Sequence, residues 1–231
     1  MRYDFSSYRT QDLARKLSIA RFRPLDVMVT GATGAGKSTT LNALFQRQIA
    51  KVGAGVDPET KELDAYKLND LCRFWDTPGL GDGVARDRAH QQKLIALLNK
   101  TYCLDNQHYG FIDLALVIVE GANRDLGTTI HLLRDIIVPH IQRERILVVI
   151  NQADVAMKGR HWCHDLNRPD ARLEEFLQAQ ALSIQSRVRE ATGVSIRRPI
   201  CYSAEYGFGV REVFDFIVDQ MPLKRRPCPC A

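Results

Sequence analysis

Residues 31–39 read Gly-Ala-Thr-Gly-Ala-Gly-Lys-Ser-Thr and match the phosphate-loop pattern G-x-x-x-x-G-K-S. The glycines allow consecutive backbone N–H groups to turn inward around a polyphosphate, Lys37 reaches the β and γ phosphates, and the Ser38 hydroxyl can bind Mg²⁺. Such a loop requires a strand before it and a helix after it. Residues 25–30 are rich in β-branched side chains, and residues 38–45 carry apolar side chains at helical spacing. We therefore expect a polyphosphate at a helix N-terminus.

Length and composition fit a single large α/β domain, since the chain has 231 residues and is 45% hydrophobic. The longest apolar runs, at 114–119 and 146–150, are far shorter than the roughly 20 residues of a membrane-spanning helix. Residues 1–7 lack the apolar stretch of a secretory signal. Six scattered cysteines are expected to be reduced thiols. We expect a cytoplasmic location.

The net charge of +5 is concentrated at the two ends of the chain. We divide the sequence into a basic helical extension (1–23), a nucleotide-binding domain (24–222) and a basic tail rich in Cys and Pro (223–231). In the extension, residues 8–20 form an amphipathic pattern that predicts a helix packed on the domain or bound to a partner. The basic ends are either solvated surface or a contact for RNA or an anionic membrane.

The rest of the chain alternates between strand and helix patterns. Strands are predicted at 63–68, 71–75, 114–119, 145–150 and 199–202, and helices at 86–101, 126–137, 173–188 and 213–221. This alternation predicts a mainly parallel six-stranded sheet with one antiparallel strand from a hairpin, covered by helices on both faces. Ligands of such sheets bind at the carboxyl ends of the strands. Three further motifs lie at predicted strand ends: Asp76-Thr77-Pro78-Gly79, Asn151-Gln152-Ala153-Asp154 and Ser203-Ala204.

These motifs, in this order, resemble those of the Era-like, translation-factor-related P-loop GTPases, and the resemblance covers residues 24–221. It implies GTP or GDP with Mg²⁺ as the ligands. The nucleotide-binding residues that it implies are Thr33, Gly34, Ala35, Gly36, Lys37, Ser38, Thr39, Asp76, Gly79, Asn151, Gln152, Asp154, Ser203 and Ala204. Hydrolysis would involve Lys37, Thr60 and Gly79, and the metal would be held by Ser38, Thr60 and Asp76. Thr60 is the only threonine in the glycine-rich segment 52–60.

Guanine recognition also follows from the chemistry of one carboxylate. Asp154 can accept hydrogen bonds from N1–H and the exocyclic amine of guanine, and adenine offers no such pair of donors. The resemblance implies that Asn151 ties this loop to the phosphate loop and that the Ala204 amide meets guanine O6. The family has a lysine where this chain has Gln152, which keeps an aliphatic contact with the base and loses a charge.

Two residues, Leu80 and Gly34, indicate slow intrinsic hydrolysis, and Thr33 disfavours an arginine supplied by a partner. Leu80 stands where Ras-like relatives have the glutamine that orients the attacking water, and it has no hydrogen-bonding group. Gly34 stands where some Era-like relatives have an asparagine that holds potassium, and Thr33 should crowd an arginine entering in trans. We expect a partner protein or a second copy to complete the site. The alternatives are a P-loop ATPase and a nucleotide-binding scaffold that pairs through its nucleotide face with little turnover.

Overall fold

The computed structural model describes residues 4–21, 23–46, 64–81, 83–122 and 126–228, so Thr60 and the glycine-rich segment 52–60 lie outside the described residues. The helices are α1 (Thr10–Ala20), α2 (Lys37–Phe45), α3 (Val84–Asn99), α4 (Gly127–His131, continued by a π-helical segment Leu132–Ile137), α5 (Ala171–Thr192) and α6 (Val210–Asp219). The strands are β1 (Leu25–Gly31), β2 (Asp64–Asn69), β3 (Cys72–Asp76), β4 (Thr101–Leu104), β5 (Gln107–Gly110), β6 (Leu114–Glu120), β7 (Ile146–Asn151), β8 (Trp162–Cys163), β9 (Arg168–Pro169) and β10 (Ile200–Cys201).

Six strands form the central sheet in the order β10-β7-β6-β1-β3-β2. All neighbouring pairs are parallel except β2 with β3, so the predicted fold class is confirmed. In the middle of the sheet, Val27 pairs with Phe74 on one side and with Leu114 on the other. The central strands read as continuous apolar runs because both faces of the sheet are covered.

Helices cover the sheet on both faces, and strand β1 shows how. Val27 and Val29 join a core cluster with α1, α2 and α6, whereas Met28 points to a second cluster with α3, α4 and α5. This alternation follows from the period of two in a strand. The prediction that helices cover both faces of the sheet is therefore confirmed.

Helix α1 packs against the domain through the face that its amphipathic pattern predicts. Leu13 is fully buried, and Leu17 is buried as well. Just before the helix, Arg9 forms ion pairs of 3.1 Å with Asp215 and 2.7 Å with Asp219 of α6. Of the two expectations for this helix, packing on the domain is the one that the structure shows.

A hairpin, β4–β5, follows α3 where the sequence analysis placed the end of a helix. The helix predicted over 86–101 ends at Asn99, because Thr101 already belongs to β4. Asp105 and Asn106 turn the chain with φ angles of 51° and 60°, the left-handed conformation of a two-residue hairpin turn. Asp and Asn tolerate this conformation better than other side chains.

The expectation that the basic tail is solvated surface is wrong for Arg226, which is only 1% exposed. Its guanidinium donates to the carbonyls of His140, at 3.2 Å, and Leu98. Its own carbonyl accepts from the Gly110 amide at 2.9 Å, so the tail extends the β4–β5 hairpin. Burial lowers the pKa of Arg226 to about 10, so the side chain keeps its charge at neutral pH.

A buried charged cluster lies at the amino ends of β1 and β6, at the opposite edge of the sheet from the motifs. Asp26 is fully buried and accepts from Arg23 at 2.6 Å, from Arg73 at 2.7 Å and from the Trp75 indole at 2.8 Å. The neighbouring Asp113 accepts the Asp26 amide at 3.0 Å. Burial raises the pKa of Asp113 to about 7.

Candidate nucleotide-binding site

All four sequence motifs meet at one edge of the sheet. The phosphate loop follows β1, the Asp76–Gly79 motif begins at the end of β3, the Asn151–Asp154 motif begins at the end of β7, and Ser203-Ala204 follows β10. Because β1, β3, β7 and β10 are parallel, their carboxyl ends lie together. The structure thus brings together every predicted site residue that it describes.

The phosphate loop has the backbone that an anion site requires. Gly34 and Gly36 have φ angles of 87° and 85°, which favour glycine. Helix α2 begins at Lys37, and its N-terminal amides have no side-chain cap among the described residues. Uncapped N–H groups and the helix dipole both favour a negative ligand at this point.

Three consecutive carbonyls of the loop accept side-chain hydrogen bonds. The Gly34 carbonyl accepts from Gln152 at 2.9 Å, the Ala35 carbonyl accepts from Asn151 at 3.0 Å, and the Gly36 carbonyl accepts from the Thr40 hydroxyl at 2.8 Å. In a trans peptide the following N–H group points the opposite way, toward the centre of the loop. The predicted tie between Asn151 and the phosphate loop is confirmed.

The Ser203-Ala204 loop is joined to this network from the other side. The Tyr202 hydroxyl lies 2.7 Å from the Thr40 hydroxyl, and burial raises the pKa of Tyr202, so the group stays neutral. The Ala204 amide donates to Asn151 Oδ1 at 3.0 Å, and Ser203 Oγ accepts from the Tyr206 amide at 3.3 Å. The Ala204 amide, expected at guanine O6, therefore already has a protein partner.

A pocket of about 260 Å³ opens between the phosphate loop and the two base-side loops. Its walls are formed by Gly36, Thr39, Asn151, Gln152, Asp154, Val155 and Glu205. Glu205 and Val155 were not predicted as site residues, although each directly follows a recognised motif. Asp154, the residue expected to read guanine, is one of these wall residues.

Oxygen donors for a metal converge beside the start of α2. Ser38 Oγ lies 3.5 Å from Asp76 Oδ2, at the end of β3. A hydroxyl and a carboxylate are the hard ligands that Mg²⁺ prefers, and the ion also binds phosphate oxygens and waters in such sites. The donor set therefore fits Mg²⁺. Thr60, the third predicted ligand, lies outside the described residues.

The Asp76–Gly79 motif lies directly on the phosphate loop. Lys37 Nζ donates to the Ala32 carbonyl at 2.9 Å. A Cβ on Gly79 would lie 2.7 Å from Lys37 Nζ and 2.6 Å from Thr33 Oγ1, so no other residue fits there without a rearrangement. The Thr33 amide donates to the Leu80 carbonyl at 2.8 Å. Gly79 thus touches the residues expected to surround the γ-phosphate.

A family model described as "50S ribosome-binding GTPase" matches residues 26–152 of this chain. Among curated proteins, the chain is 27% identical over 157 residues to "Uncharacterized protein YkfA" of Escherichia coli strain K12. The aligned region covers 66% of this chain and 50% of YkfA. The chain thus spans about half the length of this relative.

Toc33 and Era are among the solved structures that share the fold. Toc33 from Arabidopsis thaliana, in complex with Mg²⁺ and GMPPNP, is 15% identical with a TM-score of 0.59, and the match covers 98% of both chains. Era from Aquifex aeolicus is 17% identical with a TM-score of 0.54, covering 87% of this chain and 58% of Era. In the part of the chain that the structure describes, no helix is long and apolar enough to cross a membrane.

Proposed function

We propose that this chain, which belongs to the 50S ribosome-binding GTPase family, binds GTP and GDP with Mg²⁺, hydrolyses GTP slowly and acts as a nucleotide-dependent switch. The observation that carries the proposal is the set of bonds from Asn151 and Gln152 to the carbonyls of Ala35 and Gly34. These bonds hold the base-reading motif and the phosphate loop around one pocket. Family membership disfavours the ATPase alternative.

On the phosphate side, Lys37 would leave the Ala32 carbonyl and stabilise charge on the terminal phosphates. Ser38 and Asp76 would hold Mg²⁺ directly or through water, with Thr60 as the proposed third ligand. When bound, the ion neutralises charge on the β and γ oxygens. Gly79 would offer its N–H group to the γ-phosphate, and loss of that phosphate would release the segments around Thr60 and Leu80.

On the base side, Asp154 would accept from the guanine N1–H and exocyclic amine, and the Gln152 stem would lie along the ring. Ser203 and Ala204 would shape the loop that faces O6. The Ala204 amide can meet O6 only by sharing or giving up its bond to Asn151. Glu205, which lines the pocket, is the next residue along that loop.

The slow rate is proposed because Leu80 is only 1% exposed and packs in the core, so its side chain cannot position water. Hydrolysis should accelerate only when a partner protein or a second copy completes the site through the nucleotide face. Single-turnover GTP cleavage, measured in NaCl and in KCl over a range of protein concentrations, tests this. We expect equal rates in the two salts and a rate that rises with concentration if two copies pair. A large potassium-specific acceleration of the monomer would contradict it.

We also propose a family branch, a location and a class of partner for the protein. Membership of the Era-like branch is supported by the motif set at residues 31–39, 76–79 and 151–154. A cytoplasmic location is supported by cysteines that are all free among the described residues. An effector protein would bind the nucleotide-dependent segments. Contact of the basic ends with RNA or an anionic membrane is proposed for the exposed side chains alone, which excludes Arg226.

A further inference from the structure

The loop after β3 is held between two structures, the phosphate loop and helix α3. On the first side, the Leu80 carbonyl accepts from the Thr33 amide at 2.8 Å, and the Leu80 amide faces the Gly31 carbonyl at 3.4 Å. These contacts resemble a short stretch of parallel sheet, with Leu80 opposite Ala32. Leu80 is therefore joined directly to the backbone of the phosphate loop.

On the second side, two side chains of α3 bind the same loop. Asp87 Oδ1 accepts from the Gly81 amide at 2.9 Å, and His90 Nδ1 lies 2.8 Å from the Gly79 carbonyl. A carbonyl can only accept, so His90 Nδ1 carries the hydrogen. Asp87 and His90 are three residues apart and so share one face of α3.

Gly79, whose carbonyl faces His90, also packs against the phosphate loop. A Cβ on this glycine would lie 2.6 Å from Thr33 Oγ1 and 2.8 Å from Thr33 Cα, so the Gly79 backbone packs closely against the phosphate loop. A γ-phosphate between Lys37 and Gly79 must therefore shift or fix the Gly79 backbone. The carbonyl of the same residue lies 2.8 Å from His90 Nδ1, so the side chain of His90 holds Gly79 from the side of α3.

A further polar contact connects α3 to helix α4. Gln91, the next residue of α3, lies with its amide nitrogen 2.9 Å from His131 Nε2 of α4. The other ring nitrogen of His131 faces Asp135 in the π-helical segment. Segments of π-helix are frequent at functional sites. A displacement of α3 by the Gly79 loop would thus reach a second helix, which packs on the same face of the sheet.

We propose that His90 is a positioning residue that couples occupancy of the γ-phosphate subsite, through the Gly79 carbonyl, to helices α3 and α4. This deepens the proposed function and rests on it. His90 contacts no reacting atom in this scheme. Its bond favours the Gly79 position that receives the γ-phosphate, so it should affect GTP and leave GDP nearly unchanged.

The test compares the affinities of GDP and the non-hydrolysable analogue GMPPNP by titration calorimetry. His90→Leu removes the donor, whereas His90→Asn places an amide nitrogen near the position of Nδ1. We expect His90→Leu to weaken GMPPNP binding about fivefold, the size of one hydrogen bond, with GDP changed less than twofold. His90→Asn should stay near the wild type. His108→Leu, the same change on the exposed hairpin, is the matched control.

Hydrogen exchange of α3 and α4 provides a second readout. The wild type should differ in exchange between its GDP and GMPPNP complexes, and His90→Leu, or His90→Ala if the leucine variant does not fold, should lose this difference. The coupling role would be overturned if His90→Leu lost GDP and GMPPNP affinity equally, or lost no affinity at all. Identical behaviour of His90→Asn and His90→Leu would overturn it too. A wild type that binds neither nucleotide would instead overturn the proposed function.

Discussion

Replacing Asn151 by alanine removes the side chain that joins both base-side loops to the phosphate loop. Asn151 is 2% exposed, its amide donates to the Ala35 carbonyl at 3.0 Å, and its oxygen accepts from the Ala204 amide at 3.0 Å. The variant leaves two buried backbone groups without these partners, at about 1–3 kcal/mol each. We expect the free energy of unfolding to fall by about 2–4 kcal/mol. This is the lower part of the range for two unsatisfied groups, because a water can enter the space and bind one of them.

Urea unfolding followed by tryptophan fluorescence measures this loss, and a titration with GDP measures its effect on the site. GDP affinity should fall at least about tenfold, since the pocket loses the contact that sets its width. Asn99→Ala is the matched control, because Asn99 is exposed and bonded to His140 at 3.0 Å. That variant should lose less than about 0.5 kcal/mol. If Asn151→Ala behaves like Asn99→Ala in both assays, the role assigned to this side chain is wrong.

Three further changes test other parts of the structure. Lys37→Ala should abolish GTP turnover and weaken triphosphate binding, because one charge serves both terminal phosphates; calorimetry that finds unchanged GTP affinity would contradict this. The pKa of Asp113 is raised to about 7 by burial, so the contribution of this one carboxyl to stability should be fully present below about pH 4 and be lost as the pH rises to about 7, by at most about 4 kcal/mol. Asp113→Asn should flatten that slope in urea unfolding at pH 5 and pH 8, and an unchanged slope would refute the assignment. Gly110→Ala would place a Cβ 1.9 Å from Arg226 Nε and should cost about 1–3 kcal/mol in the wild type and less in an Arg226→Ala background; equal costs would argue against the clash.

The sequence was sufficient to predict the sheet and the ends of its strands, because those features depend on local patterns. A continuous apolar run such as 114–119 indicates a strand covered on both faces, and a motif at its end indicates the edge where the ligand binds. The tie from Asn151 to the phosphate loop was also predicted, since the resemblance supplies that contact. The sheet and its strand ends are encoded within a few adjacent residues, whereas the Asn151 tie spans 116 positions and was predicted from the motif set alone.

The features that were missed either give a weak local pattern or depend on long-range contacts. The four-residue strands β4 and β5 are half-exposed and give little alternation, so only Asp105-Asn106 marked their turn. Burial of Arg226 requires a glycine at 110 and carbonyls from two other elements. His90 reaches Gly79 across 11 positions, and no pattern in the chain indicates that pairing. Such contacts follow from packing and not from local propensity.

Guanine selectivity is measured most directly by competition of GDP, ADP and xanthosine diphosphate against a fluorescent guanine nucleotide, for the wild type and Asp154→Asn. The wild type should bind GDP far more tightly than ADP, because adenine lacks the donors that the Asp154 carboxylate accepts. Asp154→Asn should weaken GDP by about 2 kcal/mol or more and should prefer xanthosine diphosphate, whose ring can pair with an amide. Equal affinity of the wild type for ADP and GDP would contradict guanine recognition and with it the GTP-dependent switch.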